Sequence, residues 1–151
     1  MAVWKRICCP VDYSEPSRLA LVEAAELARR LEGELTIVSV MENRPSADTF
    51  VAPPELFREE AEQAKRELDR WVADAEARAP GRVRGALLSG GPADEIIKFL
   101  RNGRFDLVAM GTHGRKGLKR LVLGSVAERV VREAPCTVLV VRPEHFDSEP
   151  D

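Results

Sequence analysis

The sequence predicts an α/β protein built on a single, open, doubly wound sheet of five parallel strands. Along 151 residues, five short apolar runs alternate with four amphipathic stretches, the order expected when helices carry the chain from strand to strand. The runs are also almost continuously apolar, as strands covered on both faces must be. Right-handed crossovers then leave the open, doubly wound topology.

The first strand is read in "WKRICCPVD", and "SEPSRLALVEAAELARRLEG" after it is a helix. Ser14 supplies the N-cap and Pro16 suits the first turn, while Ala20, Ala24, Leu27, Ala28 and Leu31 recur at helical spacing. Gly33 is the expected C-terminal stop. "ELTIVSVM" is rich in β-branched residues and forms the second strand. Beyond the loop "ENRPSADTFVAPP", which either covers a ligand or merely connects, Phe57, Ala61, Ala64, Leu68, Trp71 and Ala75 keep the helical period up to Pro80-Gly81. "VRGALLSG" is the third strand. "PADEIIKFLRN" follows as a short helix, with Pro92 near its start and Gly103 beyond its end. "FDLVAMG" and "TVLVVRP" are the fourth and fifth strands, with a helix from Ser125 to Glu133 between them.

Composition narrows the functional classes. Apolar residues make up 44% and charged residues 32%, with a formal net charge of -2; a chain of this size buries roughly 70% of its unfolded surface. One domain over residues 1–143 is expected, followed by an acidic tail, 144–151. The charge balance points away from nucleic acid and anionic membranes. No apolar run approaches the roughly 18 residues of a membrane span, and the N-terminal apolar stretch is short for a signal peptide, so a cytoplasmic protein is expected. Cys8, Cys9 and Cys136 form neither a C-x-x-C pair nor a zinc set with the two histidines, and read as small core residues.

In sheets of this kind ligands bind at the carboxyl ends of the strands, which directs attention to the loops beginning at Pro10, Val40, Ser89 and Met110. At the end of strand four stands "GTHGRKGLKRLVLGSVAERV", residues 111 to 130. Gly111 and Gly114 permit positive φ angles and bring backbone N–H groups close to an anion. Gly124-Ser125 opens a helix whose free amides and positive dipole end form a second anion-binding element. Two such elements on a fixed spacer suit a polyphosphate. The same residues also have a ligand-free reading: Gly111 as a tight strand exit, and Ser125 with Glu128 as an S-x-x-E capping box. His113 and Arg115 flank Gly114 and are either phosphate donors or solvent-facing loop residues. Lys116, Lys119 and Arg120 extend a basic patch across the spacer.

The spacing G-x2-G-x9-G-[ST], filled by Gly111, Gly114, Gly124 and Ser125, resembles the motif of the ATP-binding class of universal stress proteins. "CCPVDYSEPS", "SGGPADEIIKFL" and "APCTVLVVRP" resemble that family's first strand and acidic loop, third strand-to-helix turn and last strand, so the likeness covers nearly the whole chain. It implies an adenine nucleotide alpha hydrolase-like fold with strand order 3-2-1-4-5. It also implies an ATP site in which Asp12 contacts the ribose or a Mg²⁺ ion, Val40 reads adenine through its backbone, and Pro10, Val11 and Met110 form apolar walls. The phosphates would lie on Gly111, Gly114, Gly124 and Ser125, with the Val126 N–H beside them. Asp12 also reads as a helix-entry cap, and Val40 as plain core. Tyr13 departs from the family, standing where a glycine is common, and a ring at that position could narrow the pocket mouth.

Rival enzymes lack their marks. There is no G-x-G-x-x-G after strand one and no G-x4-G-K-[ST] anywhere, and "SGGPAD" differs from a pyrophosphatase loop in its Asp position and missing Ser. Asp12 and His113 are the only base candidates near the expected phosphates and no second feature of the sequence pairs with either, so slow or absent ATP hydrolysis is expected. The alternative is an interaction module of the same fold that binds no nucleotide. Strand five, apolar on both faces, ends the sheet and leaves an open edge; the resemblance implies a homodimer through residues 136–143.

Overall fold

The computed structural model describes residues 3–42, 54–112 and 123–143. Its elements are β1 (Arg6–Pro10), α1 (Glu15–Leu31), β2 (Glu34–Met41), α2 (Pro54–Arg78), β3 (Val83–Ser89), α3 (Pro92–Gly103), β4 (Leu107–Gly111), α4 (Ser125–Glu133) and β5 (Thr137–Val141). The sheet has the order β3-β2-β1-β4-β5, and all its pairs are parallel. Alternation along each strand divides the core. Ile7, Cys9, Leu35, Leu107 and Ala109 pack beneath α1 and α2, whereas Cys8, Val38, Val108 and Met110 pack beneath α3 and α4. Both faces are therefore covered, and beyond the exposed Arg6 the central strand is apolar from Ile7 to Pro10 for that reason.

Helix α1 approaches the sheet closely because its buried stripe is mostly alanine: Ala20, Ala24, Ala25 and Ala28, with Leu21 as the large member. Ser14 is its N-cap, accepting from the Ser17 N–H at 3.3 Å, an arrangement worth about 1 kcal/mol. The stop differs from expectation by one residue. Glu32, at φ 54°, takes the left-handed position and the Gly33 N–H donates to the Ala28 carbonyl at 2.9 Å. The same displacement occurs at the end of α3, where Arg104 is left-handed at φ 52° and Gly103 is still helical. In α2 the expected stripe is buried at Leu68 and Ala75, but Phe57 in its first turns is 53% exposed.

Cys8 and Cys9 have no exposed surface. Burial pushes the Cys9 thiol up to about 12 and raises Cys8 as well, so both stay protonated at neutral pH. The start of β1 is clasped from the neighbouring strand: the Asp106 carboxylate accepts from the Lys5 and Arg6 N–H groups at 3.1 and 2.9 Å. No helix among the described residues is long and apolar enough to cross a membrane.

Candidate functional site

The carboxyl ends of β1, β2 and β4 face the N-terminus of α4 across a cleft of about 820 Å³. From β1 and its exit come Pro10, Val11 and Asp12; from β2, Val40; from β4, Met110 and Gly111; from α4, Gly124, Ser125 and Val126. These nine residues, named from the sequence, belong to four separate segments and line one space. His113, Gly114 and Arg115 lie outside the described residues, as do the basic spacer and most of the loop after Glu42.

Each wall has a local cause. The Val11 N–H donates to the Val38 carbonyl at 2.8 Å, which carries the pairing of the β1 segment with β2 one residue past Pro10. Val40 lies two residues farther along, so strand alternation turns its amide and carbonyl to the same side, past the end of β1. Asp12 begins the turn into α1. Its Oδ1 accepts from the Ser14 N–H at 3.0 Å and from the Ser14 hydroxyl, and its own N–H donates to Ser17 Oγ at 3.4 Å. Asp12 therefore shapes the helix entry while remaining exposed to the cleft.

On the opposite wall the Gly124 N–H donates to the Thr112 carbonyl at 2.7 Å, which brings the start of α4 against the end of β4. Gly124 is the N-cap, at φ -64°, and Ser125 the first helical residue. The S-x-x-E capping box of the ligand-free reading is consequently not formed: Glu128 pairs with Arg132 at 3.1 Å, and Ser125 is exposed at the cleft. The Gly124 amide is committed to Thr112, so the amides of Ser125, Val126 and Ala127 are the ones that the first turn leaves over for an anion. Gly111 also differs from the positive-φ reading. Its backbone is not left-handed, and a Cβ there would stand 2.6 Å from the backbone carbon and oxygen of Pro16.

Sequence reasoning missed several members of the lining. Ser17, Ser39, Ile96 and Ala127 carried no local signal, because a small or apolar residue at helical or strand period reads as core, and Glu42, just past the end of β2, read as the start of a loop. Among the described residues of the lining, the charged side chains are Asp12 and Glu42, both acidic. These two carboxylates make the described part of the lining suited to an anion that brings a cation with it. Asp12 alone would be one ligand of such an ion, and no cluster of three or more His, Cys, Asp or Glu suited to hold a metal occurs among the described residues.

A smaller recess of about 250 Å³ adjoins the cleft between the starts of α3 and α4, where Arg129 pairs with Asp94 at 2.7 Å. The "SGGPAD" segment is placed here. Gly91 caps α3, Pro92 is in its first turn, and Asp94 is held by that ion pair.

The chain matches the universal stress protein family over residues 4–142. A universal stress protein of Methanocaldococcus jannaschii is 32% identical over 145 residues, covering 93% of this chain and 83% of that one. Among solved structures, universal stress protein UspA from Lactobacillus plantarum superposes with a TM-score of 0.79 at 26% identity, over 94% of this chain and all of that one. Two more distant structures share the fold: a universal stress protein in complex with cAMP (TM-score 0.72, 21% identity, 92% of this chain and 97% of that one) and one from Archaeoglobus fulgidus in complex with dAMP (TM-score 0.67, 22% identity, 91% and 98%).

Proposed function

This chain belongs to the universal stress protein family, and we propose that it binds ATP, as Mg-ATP, in the cleft at the carboxyl edge of its sheet. The observation that carries the reading is the convergence of Pro10, Val11, Asp12, Val40, Met110, Gly111, Gly124, Ser125 and Val126 on one space. Adenine would lie against Val11 and Met110 and meet the backbone of Val40. The ribose or the metal would face Asp12, and the phosphates the first amides of α4, with Gly114, His113 and Arg115 completing their cradle. Mg²⁺ would arrive with the nucleotide and offset the acidic lining; Asp12 is the residue that would ligate it. That relatives of this fold are complexes with cAMP and dAMP supports an adenine nucleotide as the ligand class.

Binding is better supported than turnover. The Asp12 carboxylate is occupied by Ser14, a poor arrangement for a general base, and hydrolysis is expected to be slower than about one per second, the low end of ordinary enzymes. The reading is of a cytoplasmic, nucleotide-responsive dimer that acts in stress survival or signalling. Its rival is an interaction module that binds no nucleotide. Two observations favour the rival: Pro16 accounts for Gly111, and Thr112 for the Gly124 amide, without any ligand. They leave the cleft itself unexplained.

The two readings separate in one experiment. Extensively desalted protein is denatured and assayed for released adenine nucleotide, and the folded protein is melted with and without Mg-ATP. Released nucleotide, or a midpoint raised by about 5 °C or more at a hundredfold excess over Kd, is expected. Nucleotide-free protein with an unmoved midpoint would leave the interaction module as the function.

A further inference from the structure

We propose that Trp71, on α2 and outside the cleft, is a positioning residue for the Asp12 carboxylate, acting through Tyr13. The inference rests on the nucleotide reading above. Tyr13 separates Asp12 from Ser14 and has φ 65°, a left-handed conformation that costs an ordinary L residue roughly 1–2 kcal/mol. That conformation turns the Ser14 N–H back onto Asp12 Oδ1 at 3.0 Å, which sets the direction of the carboxylate at the cleft. A strained turn persists only where its surroundings hold it.

The hold comes from α2. The Tyr13 ring meets Trp71 edge to face, with centroids 5.2 Å apart and planes at 74°, an interaction worth about 0.5–1.5 kcal/mol beyond the area buried. Trp71 is fixed in turn by Arg18, whose guanidinium carbon lies 5.4 Å from the indole centroid, and Arg18 pairs with Asp74 on the same face of α2 at 3.1 Å. Residues of two helices thus brace the one turn that carries the acidic ligand. Trp71 does not line the cleft, so its effect on binding must pass through that turn.

The test is a double-mutant cycle on Mg-ATP affinity, measured by calorimetry with folding verified by circular dichroism. Asp12→Asn is expected to weaken binding about tenfold, the worth of a hydrogen bond to a charged group. Trp71→Leu should produce a loss of similar size and Trp71→Phe a loss under about threefold, while Trp71→Leu combined with Asp12→Asn should bind no worse than Asp12→Asn alone. Multiplied losses in the double variant, or Trp71→Leu binding like the unsubstituted chain, overturn the inference and leave the nucleotide site standing. Should Trp71→Leu fail to fold, Trp71→Met, likewise outside the cleft that Tyr13 lines, carries the same cycle with and without Asp12→Asn, with the same two outcomes. If the unsubstituted chain binds no Mg-ATP, the nucleotide reading falls and this inference with it.

Discussion

Gly111 shows how much a single residue can conceal. Its place in a spaced glycine motif suggests a ligand, yet any side chain there would collide with the backbone of Pro16 before a ligand entered. Gly111→Ala is therefore expected to lower the stability of the ligand-free protein by about 1–3 kcal/mol in urea unfolding, the usual cost of overpacking. An unchanged midpoint would show that Pro16 can yield and would return the glycine to the ligand alone. Pro16 precedes Gly111 by most of the chain's length, so no local pattern reported the contact. Asp12 was more legible, since an acidic residue at a strand exit before a helix cap marks both a possible ligand and a helix entry, and the structure gives it the entry bonds. The role of Tyr13 was half legible. Its departure from a glycine position was visible, whereas the ring that holds it comes from α2.

At the scale of elements, α1 joins a small-residue stripe to an ionic outer face. Glu26 bonds to Arg29 at 2.5 Å and Arg30 at 2.8 Å near the helix end. Those hydrogen bonds, Arg29 first, lower its carboxyl from the ordinary 4.5 to about 2. A depressed carboxyl contributes stability above its unfolded value and loses it as the pH falls through its folded value. The expected outcome is that Glu26→Gln lowers the thermal midpoint slightly at neutral pH and flattens part of its decline between about pH 5 and about pH 2. Parallel curves for the two proteins would deny the pair any role; because all three side chains are solvated, the effect will shrink in high salt. The helix ends themselves were legible only to within a residue. Gly33 and Gly103 read as stops, yet what they permit is close approach, with a Cβ at Gly33 falling 2.9 Å from the Lys5 carbonyl and one at Gly103 running into the Phe105 ring. Glu32 and Arg104 take the left-handed positions instead.

For the whole molecule the open question is the edge of the sheet. Among the described strands β5 pairs with β4 alone, and Val138 to Val141 remain half-buried where Ile7 to Pro10 of the central strand are buried. An apolar edge with unpaired backbone invites a second copy. Light scattering at micromolar concentration should give the mass of two chains; the mass of one would remove the homodimer from the proposed function. By itself the sequence determined the order and kind of the elements, the doubly wound sheet and the edge at which a ligand would sit. These follow from periodicity, chirality and capping, which act over a few residues at a time. Only the tertiary structure decided that Gly111 answers to Pro16, that the Gly124 amide belongs to Thr112, and that Trp71 stands behind the turn of Asp12. Each of these is a distance between segments remote in the chain, and local composition sets no such distance until the core has packed.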